Sequence, residues 1–326
     1  MKIYVIGTGG VGGFYGGLLA RQGCDVTFVA RGDHYRAIAQ DGLKVKSVTG
    51  DFTIHPAKVI SSLAEIEAPD LVLVTVKTYD TEEISKQLSQ VVNKATIVMS
   101  LQNGVDNDEH IKKYVKNATV VPGCVYIIAE RAAPGLIVQT AGPRKLVFGS
   151  KDKSIESKLF AIEKLMQNAQ VDAIYAKDID KGLWTKFLFI VPFAGITSIC
   201  RSSIGPIVND PGTYSLFKRC LSEVLQLAQK LGIDIGEKEH HKIIDRCEDY
   251  KHTDMGAKSS MLVDIENGRR TEIESLHGKV CQLAAQVGMD VPVNEVIYHS
   301  IRLYSQLHSN QSDPKRSNPS NLDMRS

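Results

Sequence analysis

The chain has 326 residues, with 39 Lys and Arg against 37 Asp and Glu, a formal net charge of +2. At roughly 100–200 residues per domain, that length predicts two domains with ample apolar material for their cores. The near-balance of charge gives no reason to expect nucleic acid or an anionic membrane as a partner. No apolar run reaches the ~18–20 residues of a bilayer span; the longest, Phe187 to Ile196, is interrupted by Pro192. Glycines break the N-terminal apolar run too early for a secretory leader, so a cytoplasmic protein is expected. The cysteines at positions 24, 124, 200, 220, 247 and 281 form no C-x-x-C pair, which points to reduced structural thiols. His240 and His241 are adjacent without metal-ligand spacing around them, and no metal is expected.

In chain order, Lys2 to Ile6 is a short apolar run that ends in glycines, and Gly10 to Arg21 has helical spacing. Asp25 to Ala30 is again β-branched and apolar. Asp70 to Val76 reads as a fully buried parallel strand, and Ala95 to Leu101 as another. Val115 to Ala129 and Gly135 to Gly149 form an expected antiparallel pair, turning near Pro134 and Gly135. Strands alternating with helices imply a parallel sheet covered on both faces. From Ser154 onward the patterns are long and amphipathic: Ser154 to Gln167, Asp178 to Ile199, Asp210 to Leu231 and Glu272 to Val287. Asp210 followed by Pro211 reads as a helix start. The helices from Asp210 could form an internal core or the seam of a homodimer. The fold class is therefore α/β: an N-terminal Rossmann-type doubly wound sheet over residues 1–152 and an all-helical domain over 153–308. Residues 309–326, rich in Ser, Asn, Asp and Pro, are expected to be a disordered tail.

The first strand runs straight into Gly7, Thr8, Gly9, Gly10, Val11 and Gly12, a G-x-G-x-x-G pattern with a strand before it and a helix after it. Gly7 permits the tight turn, Gly9 clears space for a pyrophosphate and Gly12 lets the helix pack closely on the strand. The helix N-terminus offers unpaired N–H groups to phosphates. At the end of the second strand, where an NAD site usually places an acid, this chain has Arg31. A guanidinium there matches a ribose 2′-phosphate, so the expected cofactor is NADP. Asp33 reads as the cap of the next helix.

The order of these motifs resembles the ketopantoate reductase (2-dehydropantoate 2-reductase) family. The fragments are the glycine loop, Arg31, Lys77 after one buried strand, Gln102, Asn103 and Gly104 after the next, Lys186, and the stretch from Ser259 to Glu274. The resemblance covers about residues 1–305. It implies NADPH-dependent reduction of a small 2-keto acid, ketopantoate to pantoate on the route to pantothenate and coenzyme A. By the same resemblance Lys186 is the proton donor, Glu272 holds the site in position and contacts the cofactor region, and Ser260 touches substrate. Lys77 and Asn103 line the cofactor and the reaction centre.

The chemistry calls for such groups. Hydride arriving at a ketone carbon leaves negative charge on oxygen, which a nearby ammonium can stabilise and protonate. Lys186 lies in an apolar helical stretch, where desolvation would make it a readier proton donor; a carboxylate partner such as Glu272 would oppose that. One departure stands out. The family pattern has asparagines one and two helical turns after the lysine, and this chain has Ile190 and Ala194 there. A further polar contact of the family falls at about Ala257. Either Ser198, Ser202 or Ser203 substitutes, or the substrate differs. Two other readings are a reductase of another small branched 2-keto acid or imine, and a non-catalytic NADP-sensing protein.

Overall fold

The apolar runs at the start of the chain become strands, and the glycine-rich and amphipathic segments between them become helices and turns. A computed structural model describes residues 1–252 and 256–309. The expected tail, 309–326, lies outside the described residues apart from Ser309. Two compact units are resolved, Met1–Lys186 and a second that begins at Phe187.

The first unit contains, in order, β1 (Lys2–Ile6), α1 (Gly10–Arg21), β2 (Asp25–Val29), α2 (Gly32–Asp41), β3 (Leu43–Ser47), β4 (Phe52–Ile54) and β5 (Lys58–Ile60). It continues with β6 (Leu71–Val74), α3 (Thr81–Leu88), β7 (Ile97–Ser100), α4 (Asn107–Lys112), β8 (Thr119–Ala133), β9 (Leu136–Phe148), α5 (Glu156–Asn168), β10 (Asp172–Tyr175) and the first turns of α6 (Ile179–Cys200). The sheet order is β4-β3-β9-β8-β7-β6-β1-β2-β5, with β10 paired to β9. From β5 to β8 every pairing is parallel, whereas β8 and β9 form the expected antiparallel pair.

All four residues of β6 and of β7 are buried, as a strand covered on both faces requires. Side-chain alternation sorts the core into two layers. Ile3, Val5, Leu71 and Leu73 pack with Phe14 and Leu18 of α1. Tyr4, Ile6, Val72 and Val74 pack with Ile84 and Leu88 of α3 and Ile111 of α4. This is the doubly wound arrangement. Strand order reverses direction at β1, with β2 on one side and β6 on the other. In such sheets the ligand crevice lies beyond the carboxyl ends of the strands at that switch.

The first unit extends well past residue 152, and its final part is not purely helical. β10 pairs in parallel with the Lys145–Phe148 end of β9, and α5 places Leu159, Ile162 and Met166 in the sheet's core. Residues 153–186 thus pack with the sheet. A four-residue strand with a single buried side chain, Ala173, carries too little alternation to be read in advance. The three-residue strands β4 and β5 are too short to show a pattern, whereas β3 does alternate, with Leu43 and Val45 buried and the lysine after each exposed.

Past α6, the described part of the second unit is helical: α7 (Ile204–Asn209), α8 (Pro211–Lys230), α9 (Glu237–His252), α10 (Ser260–Glu266), α11 (His277–Gln286) and α12 (Pro292–Ser309). Asp210 caps α8 by accepting the Thr213 N–H at 2.7 Å, with Pro211 in the first turn. Phe217, Leu221, Val224 and Leu225 of α8 are all buried. The segment 272–287, expected as one helix, breaks at Leu276, whose φ of −108° and ψ of −94° are not helical. By length and composition α6 is apolar enough to cross a membrane, which the Phe187 to Ile196 run alone is not; two thirds of its most apolar window is buried inside the protein, as in a core helix.

His277 is fully buried, with Nδ1 2.8 Å from Asn294 Oδ1 and Nε2 3.0 Å from Val191 O. Burial pushes its pKa down to about 4, from an ordinary 6.5. An unfolded chain therefore takes up a proton over that interval that the folded chain refuses. Stability is fully present above pH 6.5 and falls as pH drops from 6.5 toward 4, by about 3 kcal/mol in all. Thermal melts should show a plateau above pH 7 and a decline below 6.5, and His277→Gln should flatten that decline. An unchanged slope in the variant would reject this origin.

Candidate active site

The site is built from the turn after β1. Gly7 has φ +92°, a conformation side-chain-bearing residues rarely adopt, and a Cβ there would lie 2.8 Å from the Val76 backbone nitrogen. At Gly12 a Cβ would collide with the Gly7 carbonyl and the Thr75 hydroxyl. At Gly10 it would collide with the Ala129 carbonyl of β8. Gly9 differs from these: its φ is −86° and a Cβ there would meet nothing within 4 Å. No neighbour among the described residues requires glycine at position 9. A side chain would instead enter the open space in front of α1, where a pyrophosphate bound to the helix N-terminus has to approach. The loop therefore fits a dinucleotide.

Thr75 and His34, not singled out from the sequence, hold this loop together with Thr8 of the loop itself. The Thr75 hydroxyl donates to the carbonyls of Ile6 and Gly7, at 2.9 and 2.7 Å. Thr8 Oγ1 donates to Val29 O at 2.9 Å, which ties the loop to the end of β2. His34 is buried; its Nδ1 accepts the Gly135 N–H at 2.9 Å, which leaves Nε2–H to donate to Thr8 O at 2.6 Å. Burial, reinforced by the Arg131 charge, pushes the His34 pKa below its ordinary value and keeps the ring neutral. Arg31 is exposed at the start of α2, and Val11 is half-buried in α1. Asp33 is not the cap of α2. The cap position is Arg31, and Asp33 sits inside the first turn, paired with Arg36.

Beyond the carboxyl ends of β6 and β7 stand Lys77 and Asn103, both half-buried. The buried Gln102 links the two loops. Its Nε2 donates to Val76 O at 2.9 Å and to Thr81 Oγ1 at 2.7 Å, and its Oε1 accepts from Ser100 Oγ at 3.0 Å. Asn103 is fixed in turn by Asn107, whose Nδ2 donates to its carbonyl at 2.9 Å. Lys186, in α6, is 8% exposed and flanked by buried Leu183, Trp184 and Phe187. Its Nζ donates to Asn103 Oδ1 at 2.6 Å. Two residues 83 positions apart in sequence thus meet beyond the edge of the parallel sheet.

In the second unit Glu272 is 7% exposed, at the start of the turn Ile273–Ser275, and its carbonyl accepts from Ser275 Oγ at 3.0 Å. It is not a solvent-facing charge of the arginine-rich turn. Ser260 is exposed at the start of α10. Its neighbour Ser259 is the buried cap of that helix, accepting the Leu262 N–H at 3.1 Å and lying 2.7 Å from Thr197 Oγ1. The positions of the family's amides hold half-buried Ile190 and buried Ala194. The Ser198 hydroxyl is buried and finds no hydrogen-bond partner among the described residues. Elsewhere, the first turn of α9 brings one potential ligand atom each from Glu237, His240 and His241 within 4.8 Å of one another. The i, i+3, i+4 spacing of Glu237, His240 and His241, more than the adjacency of the two histidines, is what groups them.

Residues 3–153 match the family model of ketopantoate reductase PanE/ApbA, and residues 178–305 match the model of that family's C-terminal part. The chain belongs to the ketopantoate reductase family. It is therefore an oxidoreductase acting on CH–OH groups, in a family that uses a nicotinamide cofactor. A 2-dehydropantoate 2-reductase of Archaeoglobus fulgidus is 29% identical over 302 residues, 92% of this chain and 97% of that one. The crystal structure of a ketopantoate reductase from Ralstonia eutropha superposes with a TM-score of 0.86 at 27% identity, covering 95% of this chain and all of that one. D-mandelate dehydrogenase, in a structure with NADH and anilino(oxo)acetate, shares the fold of this family with a TM-score of 0.85 at 19% identity, again over 95% of this chain and all of the other.

Proposed function

We propose that this chain reduces ketopantoate to pantoate with NADPH, a step in pantothenate and coenzyme A biosynthesis, in the cytoplasm. The observation that carries the reading is the buried Lys186 ammonium held on Asn103. When bound, the cofactor supplies a hydride. Gly7, Thr8, Gly9, Gly10, Val11 and Gly12 would hold its pyrophosphate, Arg31 its 2′-phosphate, and Lys77 and Asn103 would line it further in.

Lys186 donates the proton that converts the substrate's carbonyl oxygen to a hydroxyl. Asn103 is suited to orient that ammonium, because a neutral amide oxygen fixes the direction of Nζ without neutralising its charge. Glu272 is the positioning carboxylate, and Ser260 contacts the keto acid.

A second reading, reduction of another small branched 2-keto acid or imine, is favoured by Ile190 and Ala194. Where the family has amides, this helix offers hydrocarbon, and each lost hydrogen bond to a substrate hydroxyl costs on the order of 1 kcal/mol or more. NADPH consumption against a panel of 2-keto acids and imines separates the readings. Ketopantoate should have the highest kcat/KM by at least an order of magnitude. A higher value for an unhydroxylated branched keto acid or an imine would replace the first reading with the second. Tight NADPH binding with no turnover of any carbonyl compound would leave a nucleotide sensor.

A further inference from the structure

A cavity of about 280 Å³ opens beside the start of α2, lined by Arg31, Asp33, His34, Arg131 and the hairpin turn through Pro134. At roughly 30 Å³ per water, it has room for a phosphate group. Two guanidinium side chains from distant parts of the chain line this one space. Asp33, which would oppose an anion there, is paired with Arg36 one turn along the helix.

The placement of Arg131 is enforced by the backbone. Gly10 lies so close to the Ala129 carbonyl that β8 is seated directly against the start of α1, and Arg131 follows two residues later. The β8–β9 register shifts between Arg131 and Ala133, an irregularity of the kind that re-aims a side chain out of the regular alternation. The tip of the hairpin is then anchored, because the Gly135 N–H donates to His34 Nδ1, whose other nitrogen holds Thr8 of the glycine loop. The hairpin is thereby fixed to the elements that carry the loop and Arg31.

We propose that Arg131 is the second arm of an anion clamp with Arg31, and that the pair reads the phosphate on the adenosine ribose of the cofactor. The clamp rests on the NADPH reading above and adds a specificity-determining residue to it. Two guanidinium forks can engage more phosphate oxygens than one, and each charge-assisted contact is stronger than a neutral one. Both arginines are exposed, so the attraction is screened by salt.

The test is equilibrium titration of the intact protein with NADPH, NADH and 2′,5′-ADP, for the wild type, Arg31→Gln and Arg131→Gln. The Arg131→Gln protein, altered at an exposed position, should melt like the wild type. It should bind NADPH and 2′,5′-ADP roughly tenfold more weakly, with NADH affinity unchanged, and its NADPH affinity should fall less steeply with salt. NADPH affinity within twofold of wild type in Arg131→Gln, with a large loss in Arg31→Gln, would reject Arg131 while leaving the NADPH reading intact. Equal losses for NADPH and NADH in Arg131→Gln would also overturn the clamp, since the residue would then shape the loop and not read the phosphate. A wild type that binds NADH as tightly as NADPH would sink the NADPH reading itself, and the clamp with it.

Discussion

Replacing Lys186 with alanine should lower kcat by about 10²–10⁴-fold, the range typical of a lost general acid, and leave NADPH affinity within about threefold. Lys186 is 8% exposed, its neighbours Leu183, Trp184 and Phe187 are buried, and its Nζ is fixed on Asn103 Oδ1 at 2.6 Å. An oriented cation in a dry setting stabilises a developing alkoxide more than the ketone that precedes it, so its removal falls on turnover. The glycine loop and Arg31, which would carry most of the cofactor's binding, are untouched by the substitution. Lys186→Met, which keeps most of the volume, controls for packing and should be equally slow. Steady-state kinetics with a parallel NADPH titration checks both halves. Near-normal turnover in either variant would reject Lys186 as the proton donor.

Two adjacent glycines should fail in opposite ways. Gly10→Ala places a methyl against the Ala129 carbonyl of β8, a backbone atom that cannot rotate away. Relieving that clash means prising α1 from β8, at about 2–3 kcal/mol, and the melting temperature should drop by roughly 5–10 °C. Gly9→Ala meets no atom of the described residues within 4 Å, so the melting temperature should move by no more than about 1 °C. Its methyl instead enters the space a pyrophosphate would use, and NADPH should bind at least tenfold more weakly. Differential scanning calorimetry and fluorescence titration on the same preparations separate the two effects. A Gly9→Ala protein that binds NADPH normally would mean that the phosphates do not approach this loop.

Within the G-x-G-x-x-G pattern, then, glycines have different masters. Gly7 answers to backbone conformation, Gly10 and Gly12 to neighbouring atoms, and Gly9 to open space. The spacing of the motif could be read in advance, because a strand, a tight turn and a helix are local events. That Gly10, formally a variable position, is pressed against β8 could not. Its partner is 119 residues away, and nothing in either segment announces the other.

The same division runs through the rest of the site. Lys186 and Asn103 could each be nominated by type and context, but their hydrogen bond exists only because the folded first unit brings the loop after β7 to Lys186. Gln102 was noticed as part of a motif, yet its work as the buried brace between Val76 and Thr81 depends on the parallel pairing of β6 with β7. His34 and Arg131 carried no signal at all. A histidine two residues after a glycine and an arginine near a hairpin tip are ordinary in sequence. They matter through Thr8, Gly135 and the cavity they share.

Elements with strong local pattern are legible in the linear chain: the buried parallel strands, the glycine loop, the long β8–β9 hairpin, and a helical second half whose α8 begins at a capped Asp-Pro pair. Periodicity and turn chemistry act over a few residues, so they survive in one dimension. It took the folded chain to bring α5 and the short strand β10 to the sheet. Only that fold put Glu272 in a buried position, broke the expected helix at Leu276, and chose Ser259, not Ser260, as the buried cap of α10. Each of those outcomes depends on which distant atoms exclude water from a given side chain, and burial of that kind is a property of the assembled surfaces and not of the local string.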